Sequence, residues 1–370
     1  MPGLRRPKQA STALALAAAN LAARSHSWQA ICLNLILPST YPRECPMLSD
    51  RFGRTIDYLR LSVTDRCDLR CSYCIPKGFK GFEEPANWLS FNEIERVVAA
   101  FARLGTRRFR LTGGEPLLRR NLPALAASLS ALPGVEDLSL STNATQLAEH
   151  AHALHRAGVR RLNVSLDSLR EDCVHDITGS HSLPKVLDGL RAAREAGFER
   201  IKINMVPIAG VNEADIEPMV AFCIENGLIL RLIEAMPMGS TGQHTQGLNL
   251  QHTLAQLQQR FDLRPTCKTL GGGPARYWES ADGGFTLGLI TPMSQHFCAT
   301  CNRVRLSVDG TLYMCLGQEE RFELRPLLRD GCSDAELEAA IRSAIELKPE
   351  KHEFIEQPQR VVRFMSMTGG

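Results

Sequence analysis

The chain repeats one local pattern six times between residues 57 and 234: a short apolar strand followed by a helix. In the first unit, residues 57–64 alternate apolar and polar side chains, and Ser90 with Glu93 forms a capping box that opens the helix. Consecutive units of this kind give parallel strands with right-handed crossovers. The pattern predicts an α/β fold, as either a doubly wound sheet or a barrel. The predicted strands are residues 57–64, 108–112, 136–142, 160–166, 200–206 and 228–234.

The residues best suited to chemistry lie at or just past the carboxyl ends of these predicted strands. In a parallel sheet those ends meet on one face, and in a (β/α) barrel that face carries the active site. The placement therefore favours a barrel. The residues concerned are Cys67, Cys71 and Cys74, Gly113 to Glu115, Ser141 to Asn143, Ser165, Asp167 and Met236.

The strand–helix rhythm stops after Met236, where a Gly- and Gln-rich stretch follows. Further on, Asp309-Gly310 predicts a hairpin turn. We therefore predict three parts: residues 1–46 as an extension outside the fold, residues 47–236 as a partial barrel, and residues 237–370 as a C-terminal region.

Charge is divided unevenly along the chain. The net charge is +3, but the first 46 residues alone carry +4, so the remainder carries −1. A nucleic-acid-binding domain usually has a broad basic surface. We therefore expect no nucleic-acid partner, and any bound anion must meet a local group of cations.

The first 46 residues are rich in Ala, Arg and Ser. We favour Met47 as the true start of a cytoplasmic protein. A mitochondrial transit peptide, and hence a matrix location, is the alternative that the composition fits next best. The apolar run of residues 12–23 is mostly alanine, which is weak for a secretory signal, and it is too short to span a membrane. We expect no membrane partner.

Cys67, Cys71 and Cys74 form a CxxxCxxC motif. Three thiolates leave one iron of a four-iron cluster without a protein ligand. That iron can bind the amino and carboxylate groups of S-adenosylmethionine. The competing interpretation is a structural zinc site, which prefers four ligands. Residues 51–149 contain no histidine, so a fourth ligand would have to be distant.

Cys298, Cys301 and Cys315 form a second group of three thiolates. It predicts either a second cluster with an open iron that meets the substrate, or a zinc ribbon completed by His296 or Cys332. The two cysteine groups are more than two hundred residues apart in sequence, so we expect two separate sites.

Together these motifs resemble the GTP 3′,8-cyclase (MoaA) family of the radical S-adenosylmethionine superfamily. The resemblance rests on both cysteine groups and runs from about Gly53 to the last residue. It is carried further by Thr112-Gly-Gly-Glu-Pro116, Asn163-Val-Ser-Leu-Asp167, Ile233-Glu-Ala-Met236, Phe297-Cys-Ala-Thr-Cys-Asn-Arg-Val-Arg305 and the terminal Gly369-Gly370. The family fold is an incomplete six-stranded (β/α)6 TIM-like barrel with a C-terminal auxiliary-cluster region.

The resemblance implies two [4Fe-4S] clusters, held by the two cysteine groups, and S-adenosylmethionine as a further cofactor. It implies no catalytic side chain. The residues that match S-adenosylmethionine-binding positions are Tyr73, Gly114, Ser165 and Met236. The residues that match GTP-binding positions are Arg60, Arg110, Ser141, Lys202, Arg303, Val304 and Arg305. We expect Arg108 and Arg161, which lie nearby, to face solvent.

The implied reaction is the lyase step that begins molybdenum-cofactor biosynthesis. A deoxyadenosyl radical removes the C3′ hydrogen of GTP, and C3′ then joins C8 to give (8S)-3′,8-cyclo-7,8-dihydroguanosine 5′-triphosphate. The implied partners are GTP and an electron donor, with the chain as a monomer or homodimer. The nearest alternative is another twin-cluster radical enzyme that modifies a peptide, and a non-catalytic zinc protein is an alternative of a different class.

Overall fold

Six parallel strands, connected through helices, form the centre of the fold, as the sequence pattern predicts. The structure is a computed structural model that describes residues 47–369. The predictions for residues 1–46 and for Gly370 lie outside the described residues. The strands are β1 (Tyr58–Ser62), β2 (Arg108–Thr112), β3 (Asp137–Thr142), β4 (Arg161–Ser165), β5 (Arg200–Met205) and β6 (Ile229–Ile233).

The connecting helices begin and end close to their sequence signals. Ser90 accepts a hydrogen bond from the Glu93 amide while the Glu93 carboxylate accepts one from the Ser90 amide, which confirms the predicted capping box. The unit after β4 contains two helices where one was predicted. The helices are α1 (Phe91–Arg103), α2 (Leu122–Ala131), α3 (Leu147–Arg156), α4 (Glu171–Thr178), α5 (Leu183–Glu195) and α6 (Ile216–Glu225).

The C-terminal part adds three strands to each edge of the same sheet. Beside β6 lie β7 (Leu263–Thr266), β8 (Arg276–Ser280) and β9 (Thr286–Ile290), and beside β1 lie β10 (Arg303–Leu306), β11 (Thr311–Tyr313) and β12 (Arg321–Glu323). The order is β12-β11-β10-β1-β2-β3-β4-β5-β6-β9-β8-β7. The two end strands do not pair with each other in this order, so the sheet is an incomplete barrel, as predicted.

Further helices follow β6 in the chain. The stretch predicted as a loop after Met236 contains one short helix. These helices are α7 (Gly239–Gln243), α8 (Leu250–Phe261), α9 (Arg325–Arg329), α10 (Asp334–Ile345) and α11 (Met365–Thr368). Within residues 47–369 no helix combines the length and the apolar character needed to cross a bilayer.

The central strands separate apolar from cationic side chains by alternation. Leu59 and Leu61 of β1 belong to the hydrophobic core, whereas Arg60 between them points to the opposite face. Phe109 and Leu111 flank Arg110 in the same way on β2. The helices therefore pack on the apolar face, and the cations face the inside of the partial barrel.

Candidate functional site

The first cysteine group lies in the loop that follows β1. The amide of Cys74 donates to the carbonyl of Cys71 at 2.9 Å, which folds the motif into a tight turn. Burial raises the pKa of Cys71 well above its usual value, with further increases from the neighbouring Cys74, Asp167 and Cys67. Burial likewise raises the pKa of Cys74 to about 12. The three thiols are thus close enough to influence one another's ionisation.

Two glycines after β2 allow the cysteine loop to pack closely on the sheet. A Cβ atom on Gly114 would lie 2.2 Å from the carbonyl oxygen of Arg66, and one on Gly113 would lie 2.2 Å from that of Thr64. The Gly114 amide also donates to the Thr64 carbonyl at 2.8 Å. These glycines accommodate the protein's own loop, a role that the sequence analysis did not assign to them.

Two buried carboxylates fix the strand ends around this loop. Glu115 accepts from the Thr142 hydroxyl at 2.7 Å and the Asn143 amide at 2.6 Å. Asp167 accepts from the Tyr73 hydroxyl at 2.7 Å and from the Val206 amide at 2.8 Å. Burial raises the pKa of Glu115 to about 7 and that of Asp167 to about 6, although these hydrogen bonds oppose the shift.

The second cysteine group lines a cavity of about 1030 Å³ inside the partial barrel. Five cations line the same cavity, and no Asp or Glu of the described chain does. The cations are Arg60, Arg110, Arg231, Arg303 and Arg305, and the cysteines are Cys298, Cys301 and Cys315.

Strand register places three of these cations side by side. Arg60 on β1 pairs with Arg305 on β10 and with Arg110 on β2. Arg231 on β6 reaches in from the far side, where its guanidinium donates to Asn204 at 2.9 Å. Cations from four strands therefore converge on one space.

Burial and crowding depress the pKa values of Arg60 and Arg305. The pKa of Arg60 lies well below its usual value because the side chain is buried and because Arg305 and Arg110 are adjacent. Burial, together with repulsion from Arg303 and Arg363, lowers the pKa of Arg305 to about 9. A polyanion in the cavity would relieve this repulsion.

Several buried polar atoms facing the barrel interior have no hydrogen-bond partner among residues 47–369. Such atoms are costly unless a ligand pairs with them. They fit a polar, anionic substrate such as a nucleotide triphosphate. They are Tyr58 Oη, Arg60 Nε, Ser141 Oγ and Arg303 Nε.

Sequence comparison identifies the relatives of this chain. Residues 61–223 match the Radical SAM superfamily, and residues 228–354 match Molybdenum Cofactor Synthesis C. The chain is 48% identical over 328 residues to GTP 3′,8-cyclase 2 of Pseudomonas aeruginosa, covering 87% of this chain and 98% of that protein. It is 46% identical over 334 residues to GTP 3′,8-cyclase of Paracoccus denitrificans, with 87% and 96% covered. This chain belongs to the GTP 3′,8-cyclase family.

Solved structures share the fold of this cyclase-family chain. Streptococcus suis SuiB aligns with a TM-score of 0.55 at 15% identity, covering 85% of this chain and 77% of that one. SuiB bound to the precursor peptide SuiA also aligns with a TM-score of 0.55, at 13% identity, with 84% and 76% covered. At this identity the likeness concerns the fold alone.

The donors of the first cysteine group fit the iron–sulfur cluster of the superfamily. Buried thiols with raised pKa values become thiolates only when a metal supplies positive charge. Cys67 Sγ accepts a hydrogen bond from the Leu69 amide at 3.4 Å, which suits a thiolate. The match of residues 61–223 to the Radical SAM superfamily favours the iron–sulfur cluster over the zinc alternative.

The second cysteine group fits a cluster in a cationic setting. Burial opposes ionisation of Cys301, but Lys348 and Arg303 outweigh it and lower the pKa of this thiol. Burial raises the pKa of Cys315, and Lys348 opposes that increase. All three cysteines line the same cavity as the cations.

The residues predicted to bind S-adenosylmethionine lie at the carboxyl ends of the strands. Tyr73 is tied through Asp167 to the end of β4, where Ser165 is exposed to the barrel interior. Gly114 lies after β2, and Met236 after β6 lines the cavity that holds the second cysteine group. No ligand contact tests their roles, which stay predictions.

The residues predicted to bind GTP lie on neighbouring strands, but not all of them line the cavity. Ser141 and Lys202 both pair in register with Asn163 of β4, and the Lys202 ammonium donates to the carbonyl of Leu270. Val304 belongs to the hydrophobic core, so of the three consecutive residues 303–305 it is the two arginines that direct charge inward.

The expectation that Arg161 faces solvent is wrong. Its side chain is only 9% exposed, because it pairs with Asp137 and donates to the Leu270 carbonyl at 3.1 Å. Arg108, the other arginine expected in solvent, is partly exposed and pairs with Asp57. Arg161 is buried because the carboxylate of Asp137, on the adjacent strand, neutralises its charge.

Sequence reasoning missed three site residues. Arg231 lies within the apolar strand Ile229–Ile233, the same signal that singled out Arg60 on β1. Tyr58 precedes Arg60 by two positions on β1, so the two side chains lie on the same face of the strand. Lys348 is 1% exposed and contacts Cys301, although nothing in its local sequence marks it as buried.

Proposed function

We propose that this chain is a GTP 3′,8-cyclase that uses S-adenosylmethionine and two [4Fe-4S] clusters, one at each cysteine group. One observation carries the proposal: five arginines from four strands line a single cavity with the second cysteine group and without a described carboxylate. GTP carries about four negative charges, and guanidinium forks match phosphate oxygens.

In this proposal the triphosphate lies along the row formed by Arg305, Arg60 and Arg110. Arg231 stays fixed by the Asn163 and Asn204 side chains and directs its charge at the same anion. The guanine then lies toward the second cysteine group. The cations hold the nucleotide rigidly, which matters because the reacting ribose hydrogen must lie at a defined place.

The first cluster and S-adenosylmethionine together supply the one-electron chemistry that removes that hydrogen. The protein contributes position: Tyr73, Gly114, Ser165 and Met236 surround the carboxyl ends of the strands, where the cofactor is proposed to bind. Asp167 holds Tyr73 in place, and Glu115 holds the ends of β2 and β3 together. No side chain is required as a general acid or base.

The decisive test is to incubate anaerobically reconstituted protein with a reductant, S-adenosylmethionine and GTP. We expect 5′-deoxyadenosine and the 3′,8-cyclised dihydroguanosine triphosphate, detected by mass spectrometry, with label moving from [3′-²H]GTP into deoxyadenosine. ATP in place of GTP is the matched control. Deoxyadenosine without any GTP-derived product would favour the alternative enzyme that acts on a peptide.

We further propose a cytoplasmic location, with the mitochondrial matrix as the alternative. Both compartments contain GTP and low-potential electron donors. The natural electron donor and the choice between monomer and homodimer are part of the same proposal. Fractionation of cells that express the full 370-residue chain, followed by light scattering of the purified protein, tests location and assembly.

A further inference from the structure

Each cysteine of the second group is contacted by a different buried cation. Arg54 donates to the Cys298 carbonyl at 2.9 Å, and Arg363 donates to the Cys315 carbonyl at 2.9 Å. Lys348 donates to the Cys301 sulfur itself, with Nζ to Sγ at 3.5 Å. The first two contacts reach backbone, whereas the third reaches the atom that would bind iron.

These three cations differ in how their charge is balanced. Asp50 pairs with Arg54 at 2.6 Å, and Glu319 pairs with Arg363 at 2.6 Å. Lys348 forms no ion pair with any carboxylate of residues 47–369, although it is only 1% exposed. A buried ammonium without a counter-charge is expensive. The group beside it that can carry negative charge is the Cys301 thiolate.

The position of Lys348 is fixed from both sides. Its three ammonium donors are all used, since Nζ also donates to the carbonyls of Arg303 at 2.9 Å and Met314 at 2.7 Å. One of these carbonyls follows Cys301 and the other precedes Cys315. Lys348 therefore joins the two segments that carry the cysteines.

The backbone just after Lys348 is held by the same arginine that contacts Cys298. Arg54 donates to the carbonyls of Pro349 and Glu350, each at 2.7 Å. The ammonium is thus held rigidly in its place beside the sulfur.

We propose that Lys348 is a positioning residue that sets the reduction potential of the second cluster through its hydrogen bond to Cys301 and its unneutralised positive charge. The proposal rests on the assignment of that cluster to Cys298, Cys301 and Cys315. A nearby cation and a hydrogen bond to a ligating sulfur both stabilise the reduced, more negative cluster, so they raise its potential.

The first cysteine group offers an internal contrast. The groups that donate hydrogen bonds to its Cys67 sulfur are neutral: the Leu69 amide and the Asn143 side-chain amide. The carboxylates of Asp68 and Asp167 lie beside this group. A cation also reaches the backbone of the first group, where Arg70 donates to the Cys67 carbonyl at 2.6 Å. Among residues 47–369 the contact from a cation to a cysteine sulfur occurs at the second group, through Lys348.

The test is a redox titration of the holoenzyme followed by electron paramagnetic resonance, with Cys315→Ala identifying the signal of the second cluster by its loss. Lys348→Met should make that cluster at least tenfold harder to reduce, which is 59 mV for one electron. Lys348→Arg, which keeps the charge, should stay within threefold of the wild type. Lys351→Met is the matched control, because Lys351 is exposed and pairs with Glu356 at 2.5 Å.

Full iron and sulfide in Lys348→Met with an unchanged potential would overturn the proposal. If that variant does not load iron, a measurement on the wild-type protein tests the proposal instead. With ¹⁵N-lysine incorporated, the reduced second cluster should show a nitrogen coupling in pulsed resonance spectra that Lys348→Arg lacks, and absence of the coupling would also overturn it. Wild-type protein without a second cluster would instead contradict the cluster assignment itself.

Discussion

At the scale of single residues, the buried arginines that would bind an anion in the cavity can also lower the stability of the folded chain. Arg60 is 9% exposed, its Nε has no partner among residues 47–369, and two other arginines adjoin it in register. Such a residue is retained for the ligand and weakens the folded chain. Arg231 is buried more deeply, at 3% exposed, but it donates to two asparagine oxygens, so it contributes to both binding and folding.

We expect Arg60→Met to increase stability while it weakens GTP binding. Burial and then repulsion from Arg305 and Arg110 lower the Arg60 pKa, so the charged form destabilises the fold. Removing it should stabilise the chain by about 1–3 kcal/mol. GTP affinity should fall about ten- to a hundredfold, as for loss of a hydrogen bond to a charged group. Urea unfolding and anaerobic calorimetry measure the two effects.

Arg231→Met is the matched control for that experiment. It also removes a cavity cation, but it leaves the buried amide oxygens of Asn163 and Asn204 without their donor. GTP binding should weaken in both variants, whereas the urea midpoint should rise in Arg60→Met and fall in Arg231→Met. A lower midpoint in both would show that Arg60 has a stabilising partner in the folded protein.

GTP binding should take up a proton at Lys202. Burial, followed by repulsion from Arg231, Arg161 and Arg110, lowers the Lys202 pKa to about 6. A bound polyanion favours the charged ammonium and raises this pKa. The affinity for GTP should therefore be greatest below about pH 6 and decrease as the pH rises above it. Calorimetry in two buffers of different ionisation enthalpy measures the uptake.

Lys202→Met should abolish this proton uptake and flatten the pH dependence. Lys185, on the exposed side of α5, provides a control, and Lys185→Met should behave as the wild type. If Lys202→Met takes up as many protons as the unmodified chain, the proton goes to a group other than Lys202.

At the scale of elements, the loop of the first cysteine group depends on the backbone after β2. Gly114→Ala places a methyl group 2.2 Å from the Arg66 carbonyl oxygen, a distance that forces the loop to move. We expect this variant to hold about half the iron of the wild type, because only the second cysteine group keeps its geometry. Iron and labile sulfide analysis measures the loss.

Gly284→Ala is the control for Gly114→Ala. Gly284 lies in the turn between β8 and β9, where an added Cβ meets only the flexible Asp282 side chain at 3.3 Å. This variant should keep full iron. Full iron in Gly114→Ala as well would show that the loop tolerates displacement and that the glycine is needed only by a ligand.

The six central strands could be predicted because each combines an apolar run with a following turn or cap signal. Among the edge strands, the β10–β11 hairpin could be predicted from the Asp309-Gly310 turn, and the structure confirms it. The strands beside β6 could not be predicted. β7 is four residues long and contains Pro265, and β9 is defined by its pairing with β6, in which Leu230 faces Leu287. Pairing of this kind depends on segments far apart in sequence, so no local pattern encodes it.

At the scale of the whole molecule, the site depends on one long-range pairing. β10 lies beside β1 and parallel to it, so Arg305 adjoins Arg60 although 245 residues separate them. The sequence identified both cysteine groups and most of the cavity cations by their motifs. It did not reveal that Arg231 and Lys348 join them, because each acquires its role from strands or loops that the fold brings to it.

The two cysteine groups are held mainly by different elements, although the C-terminal segment contacts both, with the Ser366 backbone at Cys74 and Arg363 at Cys315. The first follows β1 and is held by the ends of β2, β3 and β4, whereas the second flanks β10 and is held by Arg54, Lys348 and Arg363. Loss of one cluster should therefore leave the other intact. We expect this independence to separate cleavage of S-adenosylmethionine from use of GTP.

Cys315→Ala should consequently retain about half the iron and still cleave S-adenosylmethionine to 5′-deoxyadenosine when reduced, but it should no longer convert GTP. Cys67→Ala should lose both activities, because the cleavage occurs at the first cluster. Cys332→Ala, outside both groups, should keep full iron and both activities. Single-turnover assays that count deoxyadenosine and cyclised product separately distinguish these cases. Equal loss of cleavage and cyclisation in Cys315→Ala would mean that the second cluster supports the first, and the division of labour argued from their separate supports would be wrong.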